Sequence, residues 1–268
     1  MSRLIVAVAH PDDETIGAGI LLSRLPSSSR VLHITDGAPR DRRFLPSGFV
    51  GGHAEYAAER RRELVAAMTM AGVKESSLDC LNVPDLEAAC ELSSLSRKVA
   101  ARFAELRPSL VVTHAYEGGH PDHDATAFAI HAAVKLLRRE GRPSPAILEI
   151  ALYRAKPSAT GPGDRLVQEF LPAAPGSSIT PWILELTPSE RELKERMLAC
   201  FRTQRALLRG LCLAPHESFR LAPDYDFTRP PQAGPLLYEL SRFPITGERW
   251  RELARDAMHA LGLMAAQP

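Results

Sequence analysis

Leu4-Ile5-Val6-Ala7-Val8-Ala9-His10-Pro11-Asp12-Asp13-Glu14 runs from an unbroken apolar stretch directly into a polar turn. An apolar run without the alternation of a half-exposed strand predicts a strand buried on both faces, as found inside a parallel sheet. Ligands of open α/β sheets bind beyond the carboxyl ends of the strands. His10 to Glu14 therefore fall where such a fold does its chemistry.

Working outward, Arg30–Ile34, Leu78–Val83, Ser109–Thr113 and Ile147–Tyr153 read as further strands. Helices are predicted between them. Leu64, Ala67, Met68 and Ala71 recur at helical spacing before Gly72; Leu92, Leu95, Val99, Phe103 and Leu106 do so before Pro108; Ile130, Ala133, Val134 and Leu137 make a third stripe. Strand–helix alternation with buried strands predicts a Rossmann-like α/β fold, a mostly parallel sheet flanked by helices on both faces. One domain over 1–268 is expected, with a core at about 3–155 and C-terminal helices and loops over 156–268 packed on it. Thr187-Pro188-Ser189-Glu190 is a capping box opening a helix expected to reach about Gly210. Residues 214–236 are read as an ordered loop, and Glu248 to Gly262 as a last helix. The long loop over 37–53 is a candidate lid in which Arg40, Arg42 and Arg43 could meet an acidic ligand or simply be solvated.

Composition narrows the function classes. The 268 residues carry 33 Lys+Arg against 32 Asp+Glu, and 45% are hydrophobic. That balance disfavours disorder and a role coating nucleic acid. No apolar run approaches the roughly 20 residues of a membrane span, and the N-terminal stretch lacks a signal-peptide pattern. Cys80, Cys90, Cys200 and Cys212 form no metal knuckle or disulfide framework and are expected to be reduced, packed thiols of a cytoplasmic protein. There is no GxGxxG after a strand, no phosphate-binding GxxxxGK[ST] and no GxSxG elbow.

A second cluster, Glu117-Gly118-Gly119-His120-Pro121-Asp122-His123-Asp124, follows the strand ending at Thr113. Together the two clusters can offer imidazoles and a carboxylate to one point above the sheet, as a catalytic divalent metal needs, with an acid and a base left over. The competing reading of Asp12, Asp13, Asp122 and Asp124 is that they cap helices. A metal-dependent phosphoesterase and a non-catalytic sugar-binding module are the other functional readings.

The pair AHPDDE at 9–14 and HPDH at 120–123 resembles the signature of the PIG-L/LmbE-like zinc-dependent N-deacetylases. Thr35-Asp36-Gly37, Arg60-Arg61-Arg62-Glu63 with Ala66-Ala67, Lys194 to Gln204, and Glu217-Ser218-Phe219-Arg220 resemble its later segments, although Met70-Ala71-Gly72 departs from the more usual Leu-Gly ending. The resemblance implies hydrolysis of the acetamide of an N-acetylated sugar conjugate, with zinc, iron or another divalent ion as cofactor. It implies His10, Asp13 and His123 as metal ligands, Asp12 as general base and a protonated His120 as oxyanion stabiliser. Arg60 and Asp85 match substrate-binding positions. Glu14 is read as a charge behind the site or in the first helical turn; His53 as an entrance or surface residue; His33, His114, His131, His216 and His259 as packed or exposed. The expected partner is a small N-acetylated sugar conjugate, with no nucleic acid and no membrane span; the oligomeric state is left open.

Overall fold

The computed structural model describes residues 4–46, 48–156, 165–171, 179–211, 214–241 and 243–264. Its strands are Leu4–Val8 (β1), Ser29–Pro39 (β2), Leu78–Asp85 (β3), Leu110–His114 (β4), Ala146–Ile150 (β5), Arg154–Lys156 (β6), Arg165–Val167 (β7), Trp182–Glu185 (β8) and His216–Leu221 (β9). The helices are Asp13–Arg24 (α1), His53–Met70 (α2), Leu92–Leu106 (α3), Pro121–Arg139 (α4), Pro188–Leu198 (α5), Arg205–Gly210 (α6), Leu237–Leu240 (α7) and Gly247–Ala260 (α8). The main sheet has the order β3-β2-β1-β4-β5-β9-β8, and β6 pairs with β7 apart from it. Strands β3, β2, β1, β4 and β5 are parallel. The chain winds outward from β1 to β3 and then returns to the other side of β1. The resulting crevice, beyond the carboxyl ends of β1 and β4, receives both polar clusters.

Side chains of β1 alternate between two cores. Leu4, Val6 and Val8 pack with Ile16, Leu64 and Met197, so α1, α2 and α5 cover one face. Ile5 and Ala7 pack with Leu95, Phe103, Phe128 and Trp250, so α3, α4 and α8 cover the other. Burial on both faces is why β1 carries no polar residue.

The C-terminal third departs from expectation. The predicted loop over 214–236 contains β9, antiparallel to both β5 and β8. Its apolar pattern is masked because two buried positions are charged and paired. Arg220 Nε donates to Glu149 Oε2 at 2.8 Å. Glu217 accepts the backbone N–H groups of Ile20 (2.8 Å) and Leu21 (3.0 Å) and the Lys194 ammonium (2.9 Å). Those amides are free because α1 breaks its helical geometry at Ala18 (φ −147°, ψ 19°). The Thr187 capping box forms as predicted, but its helix stops at Leu198, and a 3-10 turn over Arg202–Gln204 precedes α6. That turn lets Thr203 donate its N–H (3.0 Å) and hydroxyl (2.6 Å) to buried Glu63 on α2. Cys80, Cys90 and Cys200 are free thiols, as expected, but only partly buried, and Cys90 is exposed; Cys212 lies outside the described residues.

Trp250 of α8 is fully buried, and its indole N–H donates to the Pro121 carbonyl at 3.1 Å, fastening α8 onto the first turn of α4. Trp250→Ala should cost about 3–5 kcal/mol through the cavity it leaves, read as a lower urea midpoint. An unchanged midpoint would contradict this packing.

Candidate metal and catalytic centre

The turn after β1 holds its aspartates in an unusual backbone. Asp12 has φ 139° and ψ −31°, a region that disfavours a side chain at a typical cost of about 1–3 kcal/mol and persists only when surrounding bonds over-determine it. Here they do. The Asp12 N–H donates to Glu14 Oε2 (3.0 Å), and the Asp12 carbonyl accepts the N–H groups of Thr15 and Ile16 (2.9 Å each). Glu14 Oε2 also faces His33 Nε2 at 2.9 Å, and Glu14 Oε1 accepts the Thr15 hydroxyl at 2.6 Å. On the far side Arg60 Nη2 donates to the Pro11 carbonyl at 2.6 Å and lies 3.5 Å from Asp12 Oδ2. Gly37, at φ +68°, lets this happen: a Cβ there would sit 2.7 Å from the Pro11 ring and 3.1 Å from the Arg60 guanidinium.

The second cluster is shaped by close approach. A Cβ on Gly119 would lie 2.1 Å from the Tyr153 carbonyl oxygen, so only glycine fits. Asp124 Oδ1 accepts the N–H groups of Glu117 (3.3 Å) and Gly118 (3.1 Å), closing the loop before α4. Helix α4 is capped by an imidazole: His120 Nδ1 accepts the Asp122 N–H at 3.2 Å. Asp122 accepts the N–H groups of Leu86 (2.6 Å) and Ala88 (3.2 Å), across the crevice. Capping is therefore not what the aspartates at these positions do. Asp12 makes no side-chain cap, and the carboxylates of Asp13, Asp122 and Asp124 point elsewhere.

The two clusters meet at one oxygen. Asp13 Oδ2 lies 3.2 Å from His10 Nδ1, 3.4 Å from His123 Nε2 and 3.4 Å from His114 Nε2. Ligand-capable atoms of His10, His120 and His123 lie within 4.8 Å of one another, as do those of Asp13, His114 and His123. Ligands held about 2.0–2.1 Å from a tetrahedral ion stand about 3.3 Å apart, and the contacts of Asp13 Oδ2 with His10 Nδ1 and with His123 Nε2 match that spacing. The donor chemistry agrees. Neither ring nitrogen of His123 makes a hydrogen bond of good geometry among the described residues, although the side chain is wholly buried. His10 Nε2, turned away from Asp13, faces Asp85 Oδ1 at 3.0 Å and Asp122 Oδ2 at 3.4 Å, the arrangement that orients a ligating histidine. His114 Nε2, by contrast, is already occupied as acceptor of the Ala9 N–H at 2.9 Å.

Electrostatics points the same way. Asp13, Asp85 and Asp122 surround His10, and Asp12 faces Arg60. Burial works against a charged His10, yet Asp85, Asp122 and Asp13 outweigh it and hold that imidazole well above its usual range. Burial likewise opposes ionised Asp13, and His123, His10 and His114 outweigh it, keeping the carboxyl well below normal. Such a cluster calls for added positive charge. Asp12 is pushed up to about 8 by burial, opposed by Arg60 and aided by Asp13 and Glu14. His120 is driven well below its normal range by burial and by the neighbouring His10 and His123. With Nδ1 placed to accept the Asp122 N–H, burial and the neighbouring imidazoles disfavour a charged His120, whereas the motif implies a protonated one.

All of the expected site residues except His123 line one cavity of about 270 Å³, and His123 lies against its wall. Arg60 is buried, with its guanidinium on Pro11 and Asp12, so it is no solvated charge. His53 does not line that cavity; it opens α2 and faces Asp36 Oδ2 at 3.0 Å. Sequence reasoning missed Asp122 as the partner of His10, His114 as a neighbour of Asp13, and Tyr153, whose ring packs 5.0 Å from that of His123. For Asp122 a signal existed, since a ligating histidine usually donates to a carboxylate. Phe44, Leu207, Leu237 and Phe243 of the cavity wall carried none.

Residues 5–134 match the family model described as PIG-L: GlcNAc-PI de-N-acetylase. A 1D-myo-inositol 2-acetamido-2-deoxy-alpha-D-glucopyranoside deacetylase of Thermobifida fusca is 30% identical over 45% of this chain and 50% of its own length, so the match spans half of that relative. A probable N-acetyl-alpha-D-glucosaminyl L-malate deacetylase 2 of Bacillus cereus is 26% identical over 60% of this chain and 73% of its own. Among solved structures, the A40926 pseudoaglycone deacetylase superposes with a TM-score of 0.61 at 19% identity, covering 84% of this chain and 98% of that one. A structure described as the zinc inhibited form of teicoplanin deacetylase does so with 0.54 at 17% identity, covering 84% and 100%. These two likenesses establish the fold. Among the described residues no helix is long and apolar enough to cross a membrane.

The Glu14 tether is open to test. Glu14→Gln replaces one oxygen of the carboxylate that holds both the Asp12 N–H and His33. It should cost about 2 kcal/mol and accelerate hydrogen exchange at the Asp12 amide. Unchanged exchange would show that Glu14 does not hold the turn.

Proposed function

We propose that this chain is a member of the PIG-L family, whose model residues 5–134 match, and that it hydrolyses the acetamide of an N-acetylated sugar conjugate, releasing acetate and a free amine. The observation that carries this reading is Asp13 Oδ2 facing ring nitrogens of His10 and His123 at 3.2 and 3.4 Å, with the Asp12 carboxylate beside them. We assign His10, Asp13 and His123 as holders of a divalent cation, zinc in the first instance. When bound there, the ion supplies Lewis acidity, favouring loss of a proton from water and polarising the amide carbonyl.

The chain's own residues complete the chemistry. Asp12, held by Arg60 and by its tethered backbone, takes the proton of the attacking water. A buried carboxylate pushed up to about 8 is matched to proton exchange near neutrality. His120 donates its Nε2–H to the carbonyl oxygen as negative charge collects there. Because His120 Nδ1 is engaged with the Asp122 amide, giving up the Nε2 proton would leave an imidazolate. Asp12 therefore returns the proton to the departing nitrogen as the C–N bond breaks. Asp85, on the cavity wall, is placed to accept a sugar hydroxyl, and Arg60 acts through Asp12. The segments beyond residue 155 complete the same domain, since Gln204, Leu237 and Phe243 line the cavity with the residues of the parallel sheet.

Elemental analysis with an acetate-release assay on N-acetylglucosamine conjugates tests the assignment. His123→Ala should lose the metal. Asp12→Asn should retain it while turnover falls by about 10²–10⁴-fold; full activity in that variant would remove Asp12 as the base. Chelation should abolish activity, and adding back zinc, iron(II) or cobalt(II) in turn identifies the working ion. Phosphate release without acetate would replace this reading with a phosphoesterase.

A further inference from the structure

The cavity has two chemically different ends. Acids and imidazoles form its floor, whereas Phe44, Leu86, Leu207, Leu237 and Phe243 line its mouth. These apolar side chains arrive from separate places: the 3-10 turn after β2, the end of β3, α6, α7 and the segment after α7. All are only partly buried, and Phe44, Leu86, Leu207 and Phe243 belong to neither core. The rings of Phe44 and Phe243 stand 6.1 Å apart, and Phe243 meets His120 edge-on at 4.8 Å. Leu86 is the most telling. Its φ of +72° is a conformation that glycine or asparagine adopts far more readily. Its N–H is held by Asp122 Oδ2 at 2.6 Å, which fixes that backbone with Leu86 on the cavity wall.

Charge at the mouth is equally selective. Arg60 is the only lysine or arginine among the described lining residues, and its guanidinium is engaged on Pro11 and Asp12. The arginines of the loop after β2 are held by the protein itself: Arg40 on Glu87, Arg42 on the Gly51 carbonyl, Arg43 on Asp41. The Gln204 amide donates to the Tyr56 hydroxyl at 2.8 Å. Among the described lining residues an anionic aglycone would meet Asp12 and Asp85, with Arg60 already bonded to Pro11, and a polyol would desolvate hydroxyls against leucine and phenylalanine.

We infer that the group attached to the sugar is neutral and apolar, an alkyl or aryl aglycone seated at the mouth against Phe44, Leu86 and Phe243. This rests on the deacetylase reading of the same cavity, and it separates the chain from relatives named for inositol and L-malate conjugates.

The test is acetate release from N-acetylglucosaminides bearing methyl, octyl, L-malate or inositol. The octyl compound should exceed the malate and inositol conjugates in kcat/KM by about ten-fold or more, carried by KM. Equal or better turnover of malate or inositol overturns the inference. Phe44→Ser and Phe243→Ser should collapse the octyl-to-methyl ratio, a quantity that loss of folded enzyme does not move; an unchanged ratio in both counts against the apolar mouth. Calorimetric titration with octyl glucosaminide, the product, supplies a readout without turnover. It should bind about ten-fold more tightly than the methyl compound, with a negative heat-capacity change. Such binding without acetate release from any conjugate keeps the apolar subsite and removes the deacetylase. Acetate release indifferent to the aglycone does the reverse.

Discussion

A buried carboxylate oxygen facing imidazole nitrogens, with further acids close behind, is an arrangement that folding alone does not favour. Asp13 Oδ2 has three such neighbours within 3.4 Å, and the buried ring nitrogens of His123 make no hydrogen bond of good geometry among the described residues. The cost of gathering these groups away from water is large unless a cation joins them. Much of the local structure serves this convergence. The positive φ of Asp12, the glycine against Pro11 and the glycine against Tyr153 are each tolerated because a bulkier or relaxed backbone would draw one cluster away from the other.

The motifs were legible because they are continuous in sequence and each follows a strand whose burial is written in its residues. Strand β1 could be read from Leu4–Val8 and the helix stripes from their spacing. What escaped was long-range pairing. Glu217 and Arg220 look like loop residues until their partners, the α1 backbone and Glu149, come from elsewhere in the chain. The break after Leu198 was equally hidden, because the acceptor that favours it, Glu63, lies on another helix. His114 reads from sequence only as a packed or exposed residue just past a strand; its neighbourhood with Asp13 exists only once β1 and β4 stand side by side.

The surroundings of His120 bear on a property that its motif does not carry. Sequence likeness carries over the side chain, whereas the proton is decided by what surrounds it. An imidazole that caps a helix with one nitrogen, buried beside two others, has little reason to be charged. Its service to the reaction is then a fixed dipole already aimed, a form of stabilisation that needs no rearrangement as charge develops.

The interruption of α1 at Ala18 divides that helix into parts with separate loyalties. Its first turn is bound to the reactive loop, while the amides just past the break are clasped by a carboxylate from β9, next to the edge strand β8. Shifts of that edge are absorbed at a joint rather than levered into the chemistry. The outer strands are thereby fastened to α1 beyond the break, apart from the turn that carries the acids and imidazoles.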